Sequence, residues 1–244
     1  MIPKIIHYCW FGRNPLPESA IKCINSWRKF FPDYEIKEWN EDNFDVNVIP
    51  YTAEAYVAKK YAFVSDYARF WILYHYGGLY FDTDVEVIKP MDDIIERGAF
   101  MGIEVIRNDG YPLVNPGQGL ASNANMGVIK QILDYYNNLH FLNGDGSYNM
   151  TTIVRHTTEV LVNAGMKKSE GKQAVDGIWI YPRDFFNPLD DFTGKLKITD
   201  NTRSIHWYSR SWSNSPSWKI KLMRFIHVLL GNKFMILRRL FIRE

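Results

Sequence analysis

The run Gly77-Gly78-Leu79-Tyr80-Phe81-Asp82-Thr83-Asp84-Val85-Glu86-Val87-Ile88-Lys89-Pro90 decides how this chain is read. The paired glycines stop the helix expected before them. Three apolar residues then open a buried strand, two aspartates interrupt it, and alternating valines resume an extended segment that Pro90 ends. Asp82 and Asp84 stand two apart, so on a strand both carboxylates face one way and converge on one hard cation. In open α/β sheets ligands gather beyond the carboxyl ends of the strands, where this pair is expected to sit. A lone Asp-x-Asp is ordinarily a polar loop, but this one follows a buried-looking run and no other occurs in the chain. A calcium loop built on Asp82, Asp84 and Glu86 would need a glycine at its sharp turn, and Val85 and Val87 favour extension instead.

Upstream, Phe63, Tyr67, Phe70, Trp71 and Tyr74 recur at three- and four-residue steps, which predicts one helix from Ala53 to Tyr76. It carries Ser65, Asp66 and Arg69. The last two share a face, either as an ordinary ion pair or as groups that hold sugar hydroxyls and phosphate. Before it, Ile2 to Phe11 reads as a strand, Glu18 to Phe31 as an amphipathic helix and Tyr34 to Trp39 as a second strand. That βαβ order favours a parallel sheet. After it, Phe100 to Glu104 and Ile178 to Tyr181 read as strands, and Met126 to Tyr136 and Met150 to Ala164 as helices. The Gly-Pro-Asn stretch from Asn108 to Asn125 reads as a long loop that covers a site.

The 244 residues suit one α/β domain, and 46% hydrophobic with 23% charged residues is the balance of an ordered globular chain. Aromatic residues make up 16%, which serves sugar and nucleobase stacking or a well-filled core equally well. Cys9 and Cys23 are too few for a disulfide framework or a zinc cluster and fit a reducing compartment. The N-terminus lacks the apolar stretch of a signal peptide and no segment is long enough to span a bilayer, so a cytoplasmic location is expected. Charge is uneven: Lys219, Lys221, Arg224, Lys233, Arg238, Arg239 and Arg243 crowd the end against Glu244, leaving the body acidic and ill-suited to nucleic acid. Those cations mix with Ile220, Leu222, Met223, Ile226 and Leu229 in a basic amphipathic helical tail. It either packs on the body or lies peripherally on the inner face of an anionic membrane. The expected division is a domain over 1–216 and a tail over 217–244.

The run Ser65-Asp66-Tyr67-Ala68-Arg69-Phe70-Trp71-Ile72-Leu73-Tyr74-His75-Tyr76-Gly77-Gly78-Leu79-Tyr80-Phe81-Asp82-Thr83-Asp84 resembles the signature of family-32 glycosyltransferases. That family includes bacterial capsular polysaccharide enzymes, yeast outer-chain mannosyltransferases and the catalytic domains of clostridial glucosylating toxins. Ile2-Pro3-Lys4-Ile5-Ile6-His7-Tyr8-Cys9-Trp10-Phe11-Gly12 is similar to their opening strand. The resemblance implies a GT-A fold, a Rossmann-like single α/β domain with a mixed, mostly parallel sheet flanked by helices. It further implies retaining transfer of a hexose from a nucleotide sugar; spacing does not reveal the donor, for which a UDP-hexose is the first expectation and GDP-mannose the second. The acceptor would be a saccharide or lipid-linked oligosaccharide in capsular or other surface polysaccharide synthesis.

By the same resemblance Trp10 stacks on the nucleobase, Asp66 and Arg69 contact the transferred sugar, and Asp82 with Asp84 holds ribose and metal. Ser204-Ile205-His206-Trp207-Tyr208-Ser209-Arg210-Ser211-Trp212 resembles the segment that completes such a site. His206 would be a third metal ligand, and Ser211 and Trp212 would donate hydrogen bonds to the diphosphate. Carboxylates with one imidazole suit Mn²⁺, with Mg²⁺ as a substitute. His7 is expected to be a satisfied core residue. Two rivals remain: a metal-dependent nucleotidyltransferase, which would need a phosphate-cradling Gly-rich loop that is absent, and a carbohydrate-binding protein without catalysis.

Overall fold

The computed structural model describes residues 1–191 and 193–209. The chain opens with β1 (Ile5–Cys9), α1 (Glu18–Phe30) and β2 (Glu35–Trp39), and β1 and β2 pair in parallel from Ile5 opposite Glu35 to Cys9 opposite Trp39. The expected βαβ unit is present, with a first strand shorter than the apolar run suggests. Two helices follow, α2 (Pro50–Val57) and α3 (Tyr61–Tyr76), where the spacing predicts one. Lys59 takes a left-handed φ of 56°, Lys60 N donates to Ala55 O and Lys59 N to Tyr56 O, which together close α2 as a Schellman cap. Lysine rarely serves there, so no glycine marks the break.

Gly77, at φ 64°, caps α3 by donating to Leu73 O, and β3 (Gly78–Tyr80) begins at once. Next come β4 (Val85–Val87), α4 (Asp92–Ile95), β5 (Phe100–Ile106), β6 (Pro112–Asn115), β7 (Leu120–Ser122), α5 (Gly127–Tyr136) and α6 (Ile153–Asn163). The described residues end with β8 (Gln173–Val175), β9 (Ile178–Tyr181), α7 (Arg183–Phe186) and β10 (Ser204–His206). The segment read as a loop, Asn108 to Asn125, therefore holds two short strands, because its prolines and glycines shorten the strands without abolishing them.

The main sheet has eight strands in the order β2-β1-β3-β7-β5-β9-β8, with β6 added on β5. From the pairings, β1, β2, β3, β5 and β9 run one way and β6, β7 and β8 the other, so the sheet is mixed and mostly parallel. Val85 to Val87 does not continue that sheet. It pairs antiparallel with β10, His206 opposite Val85.

One apolar layer gathers α2, α3, α5 and α6 over one face of the sheet, with Phe63, Phe70, Leu73, Ile132 and Leu161 buried. The other, around Trp27, Phe81, Phe100 and Phe186, lies beneath α1 and α7. Each such side chain contributes about 1.5–3 kcal/mol on burial. Trp27 also donates its indole N–H to Val85 O at 2.8 Å, which ties α1 to the strand that follows the aspartates. His7 is the satisfied core residue expected of it: its Nε2 meets Gly77 O at 2.9 Å and its Nδ1 accepts from the Trp39 indole at 3.0 Å. Burial lowers its pKa to about 4.

Candidate active site

The strand before the aspartates ends at Tyr80, so Asp82 and Asp84 converge through a turn rather than through strand alternation. Val85 N donates to Asp82 O at 3.0 Å and closes the turn, and Asp82 N donates to Gly117 O at 2.9 Å. The turn sits beyond the carboxyl end of β3, as expected. Trp207 N donates to Asp84 O at 2.9 Å and extends the β4–β10 pairing. That pairing brings His206 to Asp84 from a distance of more than a hundred residues along the chain. Ligand atoms of Asp82, Asp84 and His206 all lie within 4.8 Å of one another.

Asp84 faces His206 Nε2 at 3.3 Å and accepts from Ser209 N at 2.7 Å. Burial alone would raise its pKa, but the imidazole and the Ser209 hydrogen bonds outweigh this and hold the carboxyl well below the usual range. His206 is 8% exposed, and although burial opposes its charge, Asp84 wins and lifts it to about 9. Its ring packs against Tyr208 at 4.2 Å between centroids, tilted by 37°, and its Nδ1 is buried without a hydrogen-bond partner among the described residues.

Asp66 and Arg69 form a different kind of cluster. The Arg69 side chain is 4% exposed, so the i,i+3 pair is no surface ion pair. Its Nη2 donates to Asp66 at 2.9 Å, its Nη1 to Asp82 at 3.2 Å and its Nε to Ser65 O at 3.2 Å. The guanidinium also lies 4.7 Å over the Tyr80 ring, whose hydroxyl donates to Asp82 at 3.1 Å. Burial pushes Asp66 up to about 7 against the pull of Arg69. For Arg69 burial opposes the charge, yet Asp82, Tyr80 and Asp66 hold its pKa above the ordinary value.

Trp10 follows β1, which is parallel to β3, and so stands at the same end of the sheet as Asp82. It is half-exposed and its indole donates to Asn14 O at 2.6 Å. Ser211 and Trp212 lie outside the described residues, as does the tail over 217–244. Sequence reasoning missed Gly117, where an added Cβ would fall 1.9 Å from Asp82 Oδ2 and 2.7 Å from Arg69 Nη1, a closeness only glycine permits. The Asn115-Pro116-Gly117-Gln118-Gly119 run was the available signal.

Two hard carboxylates on a tight turn and one imidazole from β10, whose Nδ1 has no hydrogen-bond partner among the described residues, fit a divalent ion of the Mn²⁺ or Mg²⁺ kind. Asp82, Asp84 and His206 are the residues that would hold it.

The mixed sheet and the Asp-x-Asp turn at its carboxyl edge define a GT-A fold. Two solved structures share it: the PaToxG glycosyltransferase, at 20% identity and a TM-score of 0.51 over 66% of this chain and 69% of that one, and a glycosyltransferase involved in glycosylation of the major capsid of PBCV-1, at 12% and 0.50 over 91% and 99%. Residues 17–101 match the family described as the glycosyltransferase sugar-binding region containing the DXD motif. Among curated relatives, inositol phosphoceramide mannosyltransferase 1 of Schizosaccharomyces pombe is 32% identical over 111 residues, which is 41% of this chain and 33% of the relative. The mannosyl phosphorylinositol ceramide synthase CSH1 of Saccharomyces cerevisiae is 30% identical over 105 residues, 41% and 28% respectively. The chain thus spans about a third of the length of these relatives.

Proposed function

We propose that this protein transfers a hexose, mannose before glucose, from a nucleotide sugar to a saccharide or glycolipid acceptor with the help of a divalent ion. The observation that carries the reading is the convergence of Asp82, Asp84 and His206 at the carboxyl edge of the sheet, beside the Arg69-centred cluster. The relatives' names move mannose ahead of the UDP-hexoses that the family resemblance puts first. They also favour a glycolipid acceptor alongside surface or capsular polysaccharide.

Cleavage of a nucleotide sugar builds charge on the departing diphosphate, and a bound Mn²⁺ supplies Lewis-acid stabilisation of that charge. Asp84 and His206 would anchor the ion, and Asp82 would be shared between it and the ribose. Arg69 keeps Asp66 and Asp82 oriented, and Asp66 accepts from hydroxyls of the transferred sugar. Trp10 offers its exposed face to the nucleobase, while Ser211 and Trp212, outside the described residues, are assigned to the diphosphate by the family resemblance alone. Retention is what the family resemblance implies, and front-face attack assisted by the leaving phosphate is the course assigned to it. The test is hydrolysis of GDP-mannose and UDP-glucose with and without Mn²⁺. Metal-dependent release of nucleoside diphosphate is expected, and sugar binding that ignores both metal and nucleotide would sink the reading in favour of a carbohydrate-binding protein. The basic apolar run over 217–244 is assigned to an anionic membrane surface; equal flotation with liposomes with and without it would remove that assignment.

A further inference from the structure

The carboxyl half of β5 carries an acid that the site described so far leaves idle. Register with β6 shifts between Ile103 and Val105, so Glu104 sits at a bulge, the kind of irregularity that re-aims a side chain near a site. One carboxylate oxygen accepts from Asn115 Nδ2 at 2.6 Å. Asn115 Oδ1 in turn accepts from Gly117 N at 2.7 Å, and Gly117 is the residue pressed against Asp82 and Arg69. On its other side, Glu104 O accepts from Asn187 Nδ2 at 3.2 Å, and that same amide lies 2.6 Å from the hydroxyl of Tyr208, whose ring packs against His206. Glu104 is thus tied through one short chain to Asp82 and through another to His206.

The bonding capacity of this wall exceeds what the fold uses. A carboxylate accepts about four hydrogen bonds and an amide nitrogen donates two, and the Glu104 to Asn115 bond consumes one of each. Both amide atoms of Gln118 and Asn187 Oδ1 are buried without partners among the described residues. Buried polar groups left in this state are costly, so this wall carries more polar capacity than the fold itself pairs. Half-buried acceptor and adjacent amide donor, at the carboxyl end of a strand parallel to β3, match the alternating donor and acceptor character of vicinal sugar hydroxyls.

We propose that Glu104 and Asn115 form a hydroxyl-binding subsite for the transferred hexose, linked to the Asp82 turn through Gly117. The inference rests on the reading of that turn as a nucleotide-sugar centre. Its test uses the full chain with GDP-mannose and UDP-glucose as probes, comparing wild type, Glu104→Gln, Glu104→Asp and Asn115→Ser. For Glu104→Gln the KM for nucleotide-sugar hydrolysis is expected to rise tenfold or more, while the Kd for GDP or UDP with Mn²⁺ stays within twofold. Glu104→Asp should recover part of the loss, and Asn115→Ser, which keeps the acid but loses its orienting donor, should fall between. An unchanged KM overturns the subsite. So does a fall in kcat alone, or a loss of diphosphate affinity in step with KM, since either would mean Glu104 acts through His206 rather than on the sugar. Failure of the wild-type chain to bind GDP or UDP with Mn²⁺ is a separate result that removes the nucleotide-sugar reading itself.

Discussion

Two buried histidines are held for opposite ends. His7, between β1 and the cap of α3, has both ring nitrogens satisfied by Gly77 and Trp39, and burial keeps it neutral. His206, at the end of β10, faces Asp84 with one nitrogen, leaves the other without a partner and is lifted to about 9. The acids divide in the same way. Asp66 and Asp82 share a guanidinium that is enclosed and fully engaged, whereas Asp84 is balanced by a histidine and a loop amide. The first region is complete as it stands, and the second is balanced by groups that can be exchanged for a cation. Asp82 belongs to both regions, since it accepts from Arg69 and also lies beside Asp84 and His206.

Breaking the complete region should cost the most. Arg69→Met leaves Asp66 and Asp82 without their shared cation, and removal of one member of such a buried cluster typically costs about 3–5 kcal/mol. Urea denaturation should show a fall of that size in unfolding free energy. A variant as stable as wild type would mean that the guanidinium is not what holds the two acids.

Asp84→Asn tests the exchangeable region. Loss of one charged ligand is expected to lower metal-dependent turnover by about a hundredfold or more, roughly 3 kcal/mol of transition-state stabilisation, with a smaller effect on folding than Arg69→Met. Near-normal turnover would overturn the assignment. Mn²⁺ sharpens the same contrast without chemistry. An ion that binds only the native state at a hundred times its Kd adds about 2.7 kcal/mol, so Mn²⁺ should raise the melting temperature of wild type and lose that effect in Asp84→Asn. An equal rise in both proteins would place the ion elsewhere.

Much of the first region is legible in the sequence because its signals are local. The apolar run into Cys9, the stripe from Phe63 to Phe70 and the paired glycines each specify their own element. The break between α2 and α3 is not legible, since Lys59 adopts the left-handed cap that glycine normally announces. Nor are the short strands β6 and β7, which hide among prolines and glycines. The second region depends on contacts between distant residues. Asp84 meets His206 only because β4 leaves the main sheet to pair with β10, and no periodicity in either segment specifies that partner. Family resemblance supplied the expectation of His206 as a ligand, while Glu104 and Asn115 carry no motif and emerge only from the bulge in β5 and its hydrogen bonds.

The smallest expected effect belongs to His7 and has a definite sign. Its folded pKa of about 4 lies below the ordinary 6.5, so between those values the unfolded chain binds the proton that the native protein refuses. Stability from this residue is therefore fully present above pH 6.5 and is lost as pH falls toward 4, by about 1–2 kcal/mol between pH 6.5 and pH 5. Other groups also respond to pH, so the informative quantity is the difference from His7→Gln, which can keep a bond to Gly77 or to Trp39 without gaining a proton. Unfolding free energies measured at pH 7, 6 and 5 should converge between wild type and variant as the acid limit is approached. Parallel curves would mean that His7 is not held neutral, and the contrast with His206 would lose its first member.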